Sequence, residues 1–259
     1  MVIPVAVVVI TRNEEANLEA CLSTVKDWAQ EIIVVDDGST DRTLELAGKF
    51  TDKVFSRRMD NEGRHRNWAY AKASTPWVLS LDADERVTPE LRAEITALFA
   101  GSIEGDGYNI PRRNYIGSYW LRHGGQYPAA QLRLFKKDCF KYEEAGVHPR
   151  AFMTGKVFSL KGDIIHYSYR DFAHFVSKMN GQTTLEAGKW VDSNRQMSFG
   201  VALWRSIDRF FRSFIGKKGY KDGFYGFMMG VFASFYQIIS YAKYIEMLNN
   251  KKNAEALKK

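Results

Sequence analysis

Apolar runs long enough for buried strands alternate with segments of helical periodicity over the first 100 residues. Val5–Ile10 and Ile32–Val35 are continuous β-branched runs, and Trp77–Leu81 is a third, largely apolar run. Continuous hydrophobicity is typical of strands covered on both faces, as in a parallel sheet with helices on each side. The alternation therefore predicts an α/β fold with a mostly parallel, Rossmann-like sheet.

This rhythm ends after about residue 107. Short apolar runs then alternate with loops rich in glycine, arginine and aromatic residues, and from residue 170 onward the pattern is helical and aromatic. We therefore expect three segments: an α/β half over residues 1–107, a mixed half of the same domain over 108–195, and a helical region over 196–259.

The net charge of +7 is placed unevenly along the chain. Residues 200–259 carry eleven Lys or Arg against four Asp or Glu, so the rest of the chain is neutral overall. A neutral body with a basic tail favours an anionic membrane surface as partner over nucleic acid.

The basic tail has two apolar segments. In the first, apolar and basic residues fall on opposite helical faces, which predicts a membrane-interface helix; the two sets are Leu203, Ile207, Phe210 and Phe214, and Arg205, Arg209 and Arg212. The second, residues 223–242, carries no charge and has the length of a membrane span. Its glycines, tyrosines and Gln237 favour an interfacial or groove-packed helix over a span or a buried core helix.

Polar residues follow each of the three apolar runs, at Thr11–Glu14, Asp36–Ser39 and Asp82–Glu85. Ligands of open α/β sheets bind beyond the carboxyl ends of the strands, so these residues are expected to form one site. Packed carboxylates repel one another, and Asp82 and Asp84 are spaced to face one Mg²⁺ or Mn²⁺ ion. We expect such a cation and a diphosphate to neutralise the cluster.

Two common nucleotide-binding motifs are missing from the chain. There is no glycine-rich P-loop and no GxGxxG sequence after the first strand. An ordinary nucleoside triphosphatase or dinucleotide enzyme is therefore not expected. Asp41 is interpreted as a helix cap.

Four stretches together resemble an inverting family 2 glycosyltransferase of GT-A fold. They read "VVVITRNEEANLEACLSTV", "EIIVVDDGSTDRTLELA", "GRHRNWAYAKASTPWVLSLDADERV" and "LKGDIIHYSYRDFAHF". The most similar subgroup is that of the bacterial lipopolysaccharide-core glucosyltransferase-like enzymes. The resemblance implies that residues 1–107 bind a nucleotide sugar and that 108–195 face the acceptor. Residues 196–259 match the family only in character, and their expected membrane association rests on the basic and amphipathic pattern described above.

The resemblance also implies roles for individual residues. Those of the donor site are Thr11, Arg12, Asn13 and Glu14 around the nucleoside, Asp36 or Asp37 at the uridine, Gly63, Arg66 and Asn67 in the nucleotide pocket, and Asp82 and Ala83 of the DxD motif. Asp84 is the more direct ligand of a metal site that also includes Asp82. His166 is either the distal metal ligand or a structural histidine.

The base that would deprotonate the acceptor hydroxyl is not obvious. Many members of the subgroup have Val-His-Glu where this chain has Val147-His148-Pro149, so the nearest carboxylates are Glu143 and Glu144. We favour Glu144 over the alternative that both belong to a solvated loop. A group of basic residues would grip the donor diphosphate or an anionic acceptor, or line a polar cleft; it comprises Arg112, Arg113, Arg122, His123 and Arg133.

The sequence thus predicts a metal-dependent enzyme that transfers a hexose from a UDP-sugar. UDP-glucose is the favoured donor, and glucose is the favoured hexose. The acceptor would be a lipid-anchored glycan such as the lipopolysaccharide inner core, and the enzyme would lie in the cytoplasm, peripherally on the inner face of the cytoplasmic membrane. Two alternatives remain: transfer to a polyprenyl phosphate, which has less need of a base, and a non-catalytic nucleotide-sugar-binding scaffold.

Overall fold

A computed structural model describes residues 1–144 and 150–256 of the chain. The chain forms two compact units, each built from two stretches: unit 1 from Met1–Arg113 and Ala129–Tyr167, and unit 2 from Asn114–Pro128 and Ser168–Lys259. These bounds differ from the three consecutive segments expected from the sequence, because the stretch 114–128 groups with the C-terminal helices rather than with its neighbours in the chain.

Strands and helices alternate in the first 100 residues, as the hydrophobic pattern predicts. The elements in chain order are β1 (Ile3–Thr11), α1 (Leu18–Ser23), β2 (Ala29–Asp36), α2 (Thr43–Gly48), β3 (Val54–Ser56), α3 (Glu62–Ala71), β4 (Trp77–Asp82), β5 (Glu85–Val87), α4 (Pro89–Ala100), β6 (Gly107–Ile110), β7 (Arg112–Ile116), β8 (Tyr119–Trp120), β9 (Gln131–Lys136), β10 (Phe140–Tyr142), β11 (Ala151–Met153), β12 (Val157–Ser159), β13 (Ile164–Tyr169), α5 (Phe172–Asp192), α6 (Phe199–Phe211) and α7 (Gly223–Ala256).

Seven strands of unit 1 form one sheet in the order β12-β6-β9-β4-β1-β2-β3. The strands β4, β1, β2 and β3 are parallel, and β9 runs antiparallel between β4 and β6. Thr11 pairs with Asp36, and Ile10 pairs with Asp82. The carboxyl ends of β1, β2 and β4 therefore lie at one edge of the sheet, as predicted for an α/β fold.

The central strand β1 is buried on both faces, which explains its continuous apolar sequence. Val5, Val7 and Val9 belong to a core that includes Leu22 of α1. The intervening residues pack on the other face, where Val8 joins Tyr70 of α3 in a second core. Fully burying each such valine side chain contributes about 1.5–3 kcal/mol to folding, so the sheet holds its strand ends firmly in place.

Two smaller antiparallel pairings complete unit 1. The short strand β5 pairs with the first residues of β13, and His166 lies opposite Glu85. The strand β10 pairs with β11, with Tyr142 opposite Ala151. The first pairing matters for the site, because it brings His166 next to the turn that follows β4.

Unit 2 combines a short hairpin with the three long helices. Tyr115 of β7 pairs with Trp120 of β8. His123 ties the segment after this hairpin to the start of α7: its backbone N–H donates to Asp222 Oδ2 at 2.8 Å, and its Nδ1 lies 2.9 Å from Asp222 Oδ1. The Tyr119 hydroxyl donates to the Asp222 carbonyl at 3.2 Å. The segment 114–128 is therefore part of the helical unit.

The C-terminal helices differ in part from the expectation. Residues 223–242 lie within the long helix α7, and no helix in the described residues has the length and hydropathy that a membrane span needs. The predicted apolar face of α6 is divided. Leu203 and Ile207 are exposed, whereas the rings of Phe210 and Phe214 lie within 6 Å of Phe227.

Candidate active site at the strand ends of unit 1

The loop after β1 is fixed by the loop after β2. Asn13 takes a left-handed backbone conformation (φ 53°), its N–H donates to Ser39 Oγ, and its Oδ1 accepts from the Thr40 N–H at 2.8 Å. The Glu14 N–H donates to Thr43 Oγ1 at 2.9 Å. Arg12 extends from this loop with its Nη1 3.6 Å from Asp37 Oδ2. The two strand-end loops thus form one rigid rim.

Asp36 and Asp37 have different surroundings although they are adjacent. The Asp36 side chain is fully buried, and its carboxylate accepts hydrogen bonds from the Gly38 N–H, the Ser39 N–H and the Ser39 hydroxyl. The Asp37 carboxylate accepts from the Met59 N–H at 2.6 Å. The acceptor capacity of Asp36 is therefore spent on its own loop, which leaves Asp37 as the better placed of the two for a ligand.

The helix α3 contributes Gly63, Arg66 and Asn67. Gly63 is buried in the first turn of the helix. The Asn67 side chain and the Tyr142 backbone exchange two hydrogen bonds of 2.9 and 2.8 Å, which join α3 to β10. The Arg66 guanidinium lies over the Tyr142 ring at 5.8 Å and 3.6 Å from Asp82 Oδ1. Asn67 thus positions a neighbouring strand, while Arg66 reaches the acidic turn.

Arginines from distant parts of the chain neutralise two acids of the turn after β4. Arg133 on β9 donates from Nη2 to Asp82 Oδ2 at 2.7 Å and to Glu85 Oε1 at 2.6 Å. Arg112 lies 3.5 Å from Glu85 Oε1. The Glu85 side chain is fully buried, and its other oxygen accepts from the Asp82 N–H at 2.9 Å. The turn is thus held by ion pairs and a hydrogen bond.

These pairs correct the expectation that a cation and a diphosphate neutralise the whole cluster. Burial opposes ionisation of Asp82, but the attraction of Arg133 and Arg66 outweighs it and holds the pKa of this carboxyl well below its usual value. Burial likewise opposes the charge of Arg133, and the facing carboxylates raise the pKa of its guanidinium nonetheless. Asp82 is therefore ionised and compensated by the protein itself.

Asp84 and His166 lie together on the other side of the same turn. The antiparallel pairing of β5 with β13 places the Tyr167 N–H 2.9 Å from the Asp84 carbonyl, so the two segments are in register. The distance from His166 Nε2 to Asp84 Oδ2 is 3.5 Å, and the two side chains are 17% and 13% exposed. The structure thus brings together Asp84 and His166, two of the three residues expected as metal ligands, whereas the third, Asp82, pairs with Arg133.

The described residues contain no group of three or more His, Cys, Asp or Glu side chains arranged to hold a metal ion. Adjacent ligands of an octahedral ion bound at about 2.1 Å lie about 3 Å apart. The Asp84–His166 pair, at 3.5 Å, is close to that spacing and offers one oxygen and one nitrogen ligand, a set that suits Mn²⁺. The pair fits a divalent cation whose remaining ligands come from water and from substrate phosphates.

Arg86 holds the acidic turn and was not identified from the sequence. Its Nη1 donates to the carbonyls of Ala83 and Glu85, both at 2.8 Å, and its Nη2 reaches Asn17 Oδ1 at 3.3 Å. The signal available in the sequence was a basic residue directly after three acids. Ala83 itself is buried, and its contribution to this network is its carbonyl.

The predicted base candidates lie beside α3. Glu144 is half-exposed, and its Oε2 is 3.3 Å from Arg64 Nε while its carbonyl accepts from the Asn61 side chain at 3.1 Å. Glu143 bonds with the backbone of Arg150. The sequence Val147-His148-Pro149 lies outside the described residues. The assignment of the base stays a prediction.

The basic residues predicted to grip phosphate are divided between the two units. Arg112 and Arg133 pair with the acidic turn, and Arg113 Nε donates to Asp163 Oδ2 at 2.7 Å. Arg122 and His123 belong to unit 2, where the Arg122 guanidinium lies over the Trp120 ring at 4.5 Å. Their predicted phosphate contacts stay untested, and in unit 1 the arginines organise the acids.

Two buried polar atoms at this edge of the sheet have no hydrogen-bond partner among the described residues. They are Thr11 Oγ1, at the end of β1, and Arg133 Nε, behind Asp82. A buried polar atom without a partner costs about 1–3 kcal/mol. A polar group bound at the ends of β1 and β4 would remove this cost, so the two atoms are consistent with a donor-binding site there.

The chain is similar in sequence to known glycosyltransferases. Residues 6–160, more than half of the chain, match the model of "Glycosyl transferase family 2". The lipopolysaccharide core biosynthesis glycosyltransferase LpsC of Rhizobium meliloti is 27% identical over 248 residues, which cover 93% of this chain and 92% of LpsC. An uncharacterised glycosyltransferase of Rickettsia typhi is 26% identical over 96% of this chain and 89% of its own length.

Solved structures that match part of this geometry include S. aureus TarS 1-349 in complex with UDP-GlcNAc. It is 15% identical to this chain, its TM-score is 0.47, and the match covers 96% of this chain and 92% of the TarS fragment.

Proposed function

Because the chain belongs to glycosyltransferase family 2 and is a transferase, we propose that it moves glucose from UDP-glucose to a lipid-anchored glycan with inversion. The observation that carries this proposal is the Asp84–His166 pair beside an acidic turn that the protein already neutralises. Membership of a transferase family also sets aside the alternative of a non-catalytic scaffold.

The donor would bind at the joined ends of β1, β2 and β4. Asp37 rather than Asp36 would contact the uridine, because the Asp36 carboxylate is buried and accepts three hydrogen bonds from its own loop. The orphaned Thr11 Oγ1 is placed to receive a polar group of the nucleoside. Arg66 would contribute positive charge at the diphosphate. Its contacts with Glu62 (3.1 Å) and Asp82 (3.6 Å) are long for charged hydrogen bonds, so its guanidinium can also contact a phosphate.

Asp84 and His166 would hold Mn²⁺ or Mg²⁺ together with the donor diphosphate. The chemistry that such an ion supplies is neutralisation of the charge that develops on the leaving UDP. The residues of this chain position the acidic turn. Arg86 holds it through the Ala83 carbonyl, and Arg133 keeps the Asp82 carboxylate ionised and fixes its orientation. A fixed turn lets Asp84 meet the ion without a rearrangement.

The acceptor class is supported by the relationship to LpsC, a lipopolysaccharide core biosynthesis glycosyltransferase. It is also supported by five exposed apolar side chains along α6 and the turn after it, namely Leu203, Trp204, Ile207, Phe211 and Ile215. Exposed apolar side chains beside basic ones are typical of helices that lie in a membrane interface. A cytoplasmic enzyme held peripherally on the inner face of the cytoplasmic membrane would meet lipid-borne acceptors there.

The test is a thermal melt of wild type and Asp84→Asn with UDP, with and without Mn²⁺. At about 100 times its Kd, UDP with Mn²⁺ stabilises the wild type by about 2.7 kcal/mol, and this gain vanishes in Asp84→Asn because one metal ligand is lost. Asp27→Asn, an exposed carboxylate before β2, is the matched control and keeps the full gain. Release of UDP from UDP-glucose in the presence of a lipid-anchored glycan measures transfer.

Three results would contradict the proposal. The first is an Asp84→Asn variant that keeps both the Mn²⁺-dependent gain and full turnover, which would remove Asp84 from the metal site. The second is a gain from UDP that does not respond to Mn²⁺ in the wild type. The third is a gain with another nucleoside diphosphate that exceeds the gain with UDP, which would change the donor.

A further inference from the structure

A cavity of about 460 Å³ lies within unit 2. Its wall is formed by the helices α5, α6 and α7 and by the segment after β8. This volume is typical of pockets that bind small molecules, which measure roughly 300–1,000 Å³. The cavity shares no residue with the strand-end site of unit 1.

The floor of the cavity is apolar and well packed. Phe175, Met179 and Met229 are each less than 10% exposed and belong to one core of unit 2. The ring of Phe232 stacks on Phe175 with 4.6 Å between centroids. Methionine side chains adapt to irregular apolar partners, so this floor suits a flexible apolar group such as an alkyl chain.

The rim of the same cavity is cationic. Arg209, Arg212 and Lys217 line it, and Arg212 pairs with Asp208. In the part of the chain that the structure describes, Arg209 and Lys217 have no carboxylate at salt-bridge distance, and the Arg209 guanidinium lies 5.5 Å from the Tyr236 ring centroid. Two positive charges therefore face the cavity without an acidic partner.

The backbone holds the lysine at this rim. The Lys217 carbonyl accepts from the Gly124 N–H at 2.9 Å. Gly125 has a φ of 84°, and a Cβ built on it would lie 2.7 Å from Lys217 Cδ. The positive φ of Gly125 favours glycine, and the Lys217 stem lies along this loop.

We propose that this cavity binds one lipid molecule that carries a phosphate, with the phosphate at Arg209 and Lys217 and the apolar part on the methionine–phenylalanine floor. A phosphate matches the two unpaired cations, and an apolar chain matches the floor better than a sugar does. The helix that supplies Arg209 also exposes Leu203 and Ile207, so a lipid at a membrane surface has a short path to the rim.

This inference rests on the proposed function in one respect, that the bound lipid would be the anchor of the glycan acceptor. Binding itself needs neither donor nor metal. The site would select acceptors by their phosphorylated lipid end, at a place other than the residues that handle the sugar donor.

The experiment is NMR of the full chain with ¹³C-methyl methionine and monomeric octyl phosphate as the probe. The methyl signals of Met179 and Met229 shift on titration, and those of methionines outside the cavity stay in place. Arg209→Gln and Lys217→Gln each weaken binding by at least about tenfold, because each removes a charge-assisted contact to phosphate. Arg195→Gln, an equal loss of charge in unit 2 away from the cavity, leaves the affinity unchanged.

Three outcomes overturn the inference. Absence of shifts at Met179 and Met229 means that the cavity binds no such lipid. Stronger binding of glucose 6-phosphate than of octyl phosphate means that the site takes a phosphorylated sugar instead. Equal binding of inorganic phosphate means a simple anion site.

The thermal melt with UDP and Mn²⁺ is run in parallel on separate samples of the same protein. If the stabilising effect of UDP is intact while the methyl signals do not move, the lipid site alone fails. If the methyl signals move without any effect of UDP, the donor assignment alone fails.

Discussion

The strand-end site of unit 1 and the cavity of unit 2 both contain several arginine or lysine side chains, but their charges have opposite arrangements. In unit 1, Arg133 is 3% exposed and bridges Asp82 and Glu85. In unit 2, Arg209 and Lys217 face a cavity with an aromatic and methionine floor, and neither has a carboxylate at salt-bridge distance within the described residues.

The difference teaches which charges stabilise the fold and which are available for a ligand. A buried charge with its partner present is part of the structure, and removing one member leaves the other uncompensated. A partly exposed cation without a partner remains hydrated and loses little when it meets a phosphate. The same residue type therefore has different consequences in the two units, and substitution can measure this.

The largest effect is expected for Arg133→Ala. It leaves Asp82 and the buried Glu85 without their main partner, and breaking a buried pair in this way costs about 3–5 kcal/mol of unfolding free energy. Arg209→Ala in unit 2 is the matched variant, with an expected change within about 0.5 kcal/mol. Urea unfolding of both variants and the wild type gives the two numbers. Similar losses in the two variants would break the comparison between the units.

The next effect concerns Glu144, a half-exposed acid in an ion pair with Arg64. If it takes the proton of an acceptor hydroxyl, Glu144→Gln lowers turnover by at least about 100-fold, within the usual range for general-base catalysis. UDP affinity stays unchanged because the residue lies outside the metal pair. The measurement is steady-state transfer, with Glu143→Gln as the control.

Other outcomes of the Glu144 experiment reassign the role. If Glu143→Gln is inactive and Glu144→Gln keeps its transfer activity, Glu143 is the base. Full activity in both variants favours transfer to a polyprenyl phosphate, since phosphate is already a nucleophile and needs no base.

A smaller effect is expected at the membrane. Each exposed Lys or Arg near an anionic leaflet contributes about 1 kcal/mol, and apolar side chains such as Trp204, which is 68% exposed, add to this. Anionic vesicles therefore capture the protein, neutral vesicles capture it weakly, and salt releases it. Trp204→Gln reduces capture several-fold in co-sedimentation.

Phe152→Gln is the control for the vesicle experiment, because Phe152 is an exposed aromatic side chain of unit 1, with 55% of its surface accessible. A loss of capture in Phe152→Gln as large as in Trp204→Gln would mean that unit 2 does not direct the attachment. If neutral vesicles capture the protein and salt does not release it, the apolar side chains are sufficient for membrane binding and the basic side chains are not needed.

The smallest effect is a dependence of stability on pH through His65 of α3. Its side chain is fully buried, neither ring nitrogen has a hydrogen-bond partner among the described residues, and burial, aided by the charge of Arg57, lowers its pKa. Because the unfolded chain then binds more protons, stability falls as the pH drops below about 6.5. His65→Leu flattens this slope in melts between pH 7 and pH 5, and an unchanged slope would contradict the assignment.

The sequence predicted the parts of the site that depend on local order. Polar residues directly after β-branched runs predicted the strand-end edge, and Asp84 was correctly placed in a turn after β4. One of the short apolar runs after residue 107 forms β13, which contains His166. These successes share one cause: the pattern and its consequence lie within a few residues of each other.

Long-range pairing could not be predicted in the same way. Arg133 lies about 50 residues from Asp82 and Glu85 in the chain, and only the position of β9 beside β4 brings them together. Because the sequence does not show that pairing, it indicates a cation and a diphosphate as the groups that neutralise these acids. The same limit applies to α6 and the turn after it, where Phe210 and Phe214 lie against Phe227 of α7 while Leu203 is exposed.

Unit 2 is discontinuous, since its hairpin segment 114–128 lies between two stretches of unit 1 and is tied to Asp222 through His123. A single crossover between residues 128 and 168 would separate the hairpin segment from its helices and leave Asp222 without its own His123 partner. A chimera that keeps unit 2 whole has to be joined before residue 114, and it then also carries residues 129–167 of unit 1.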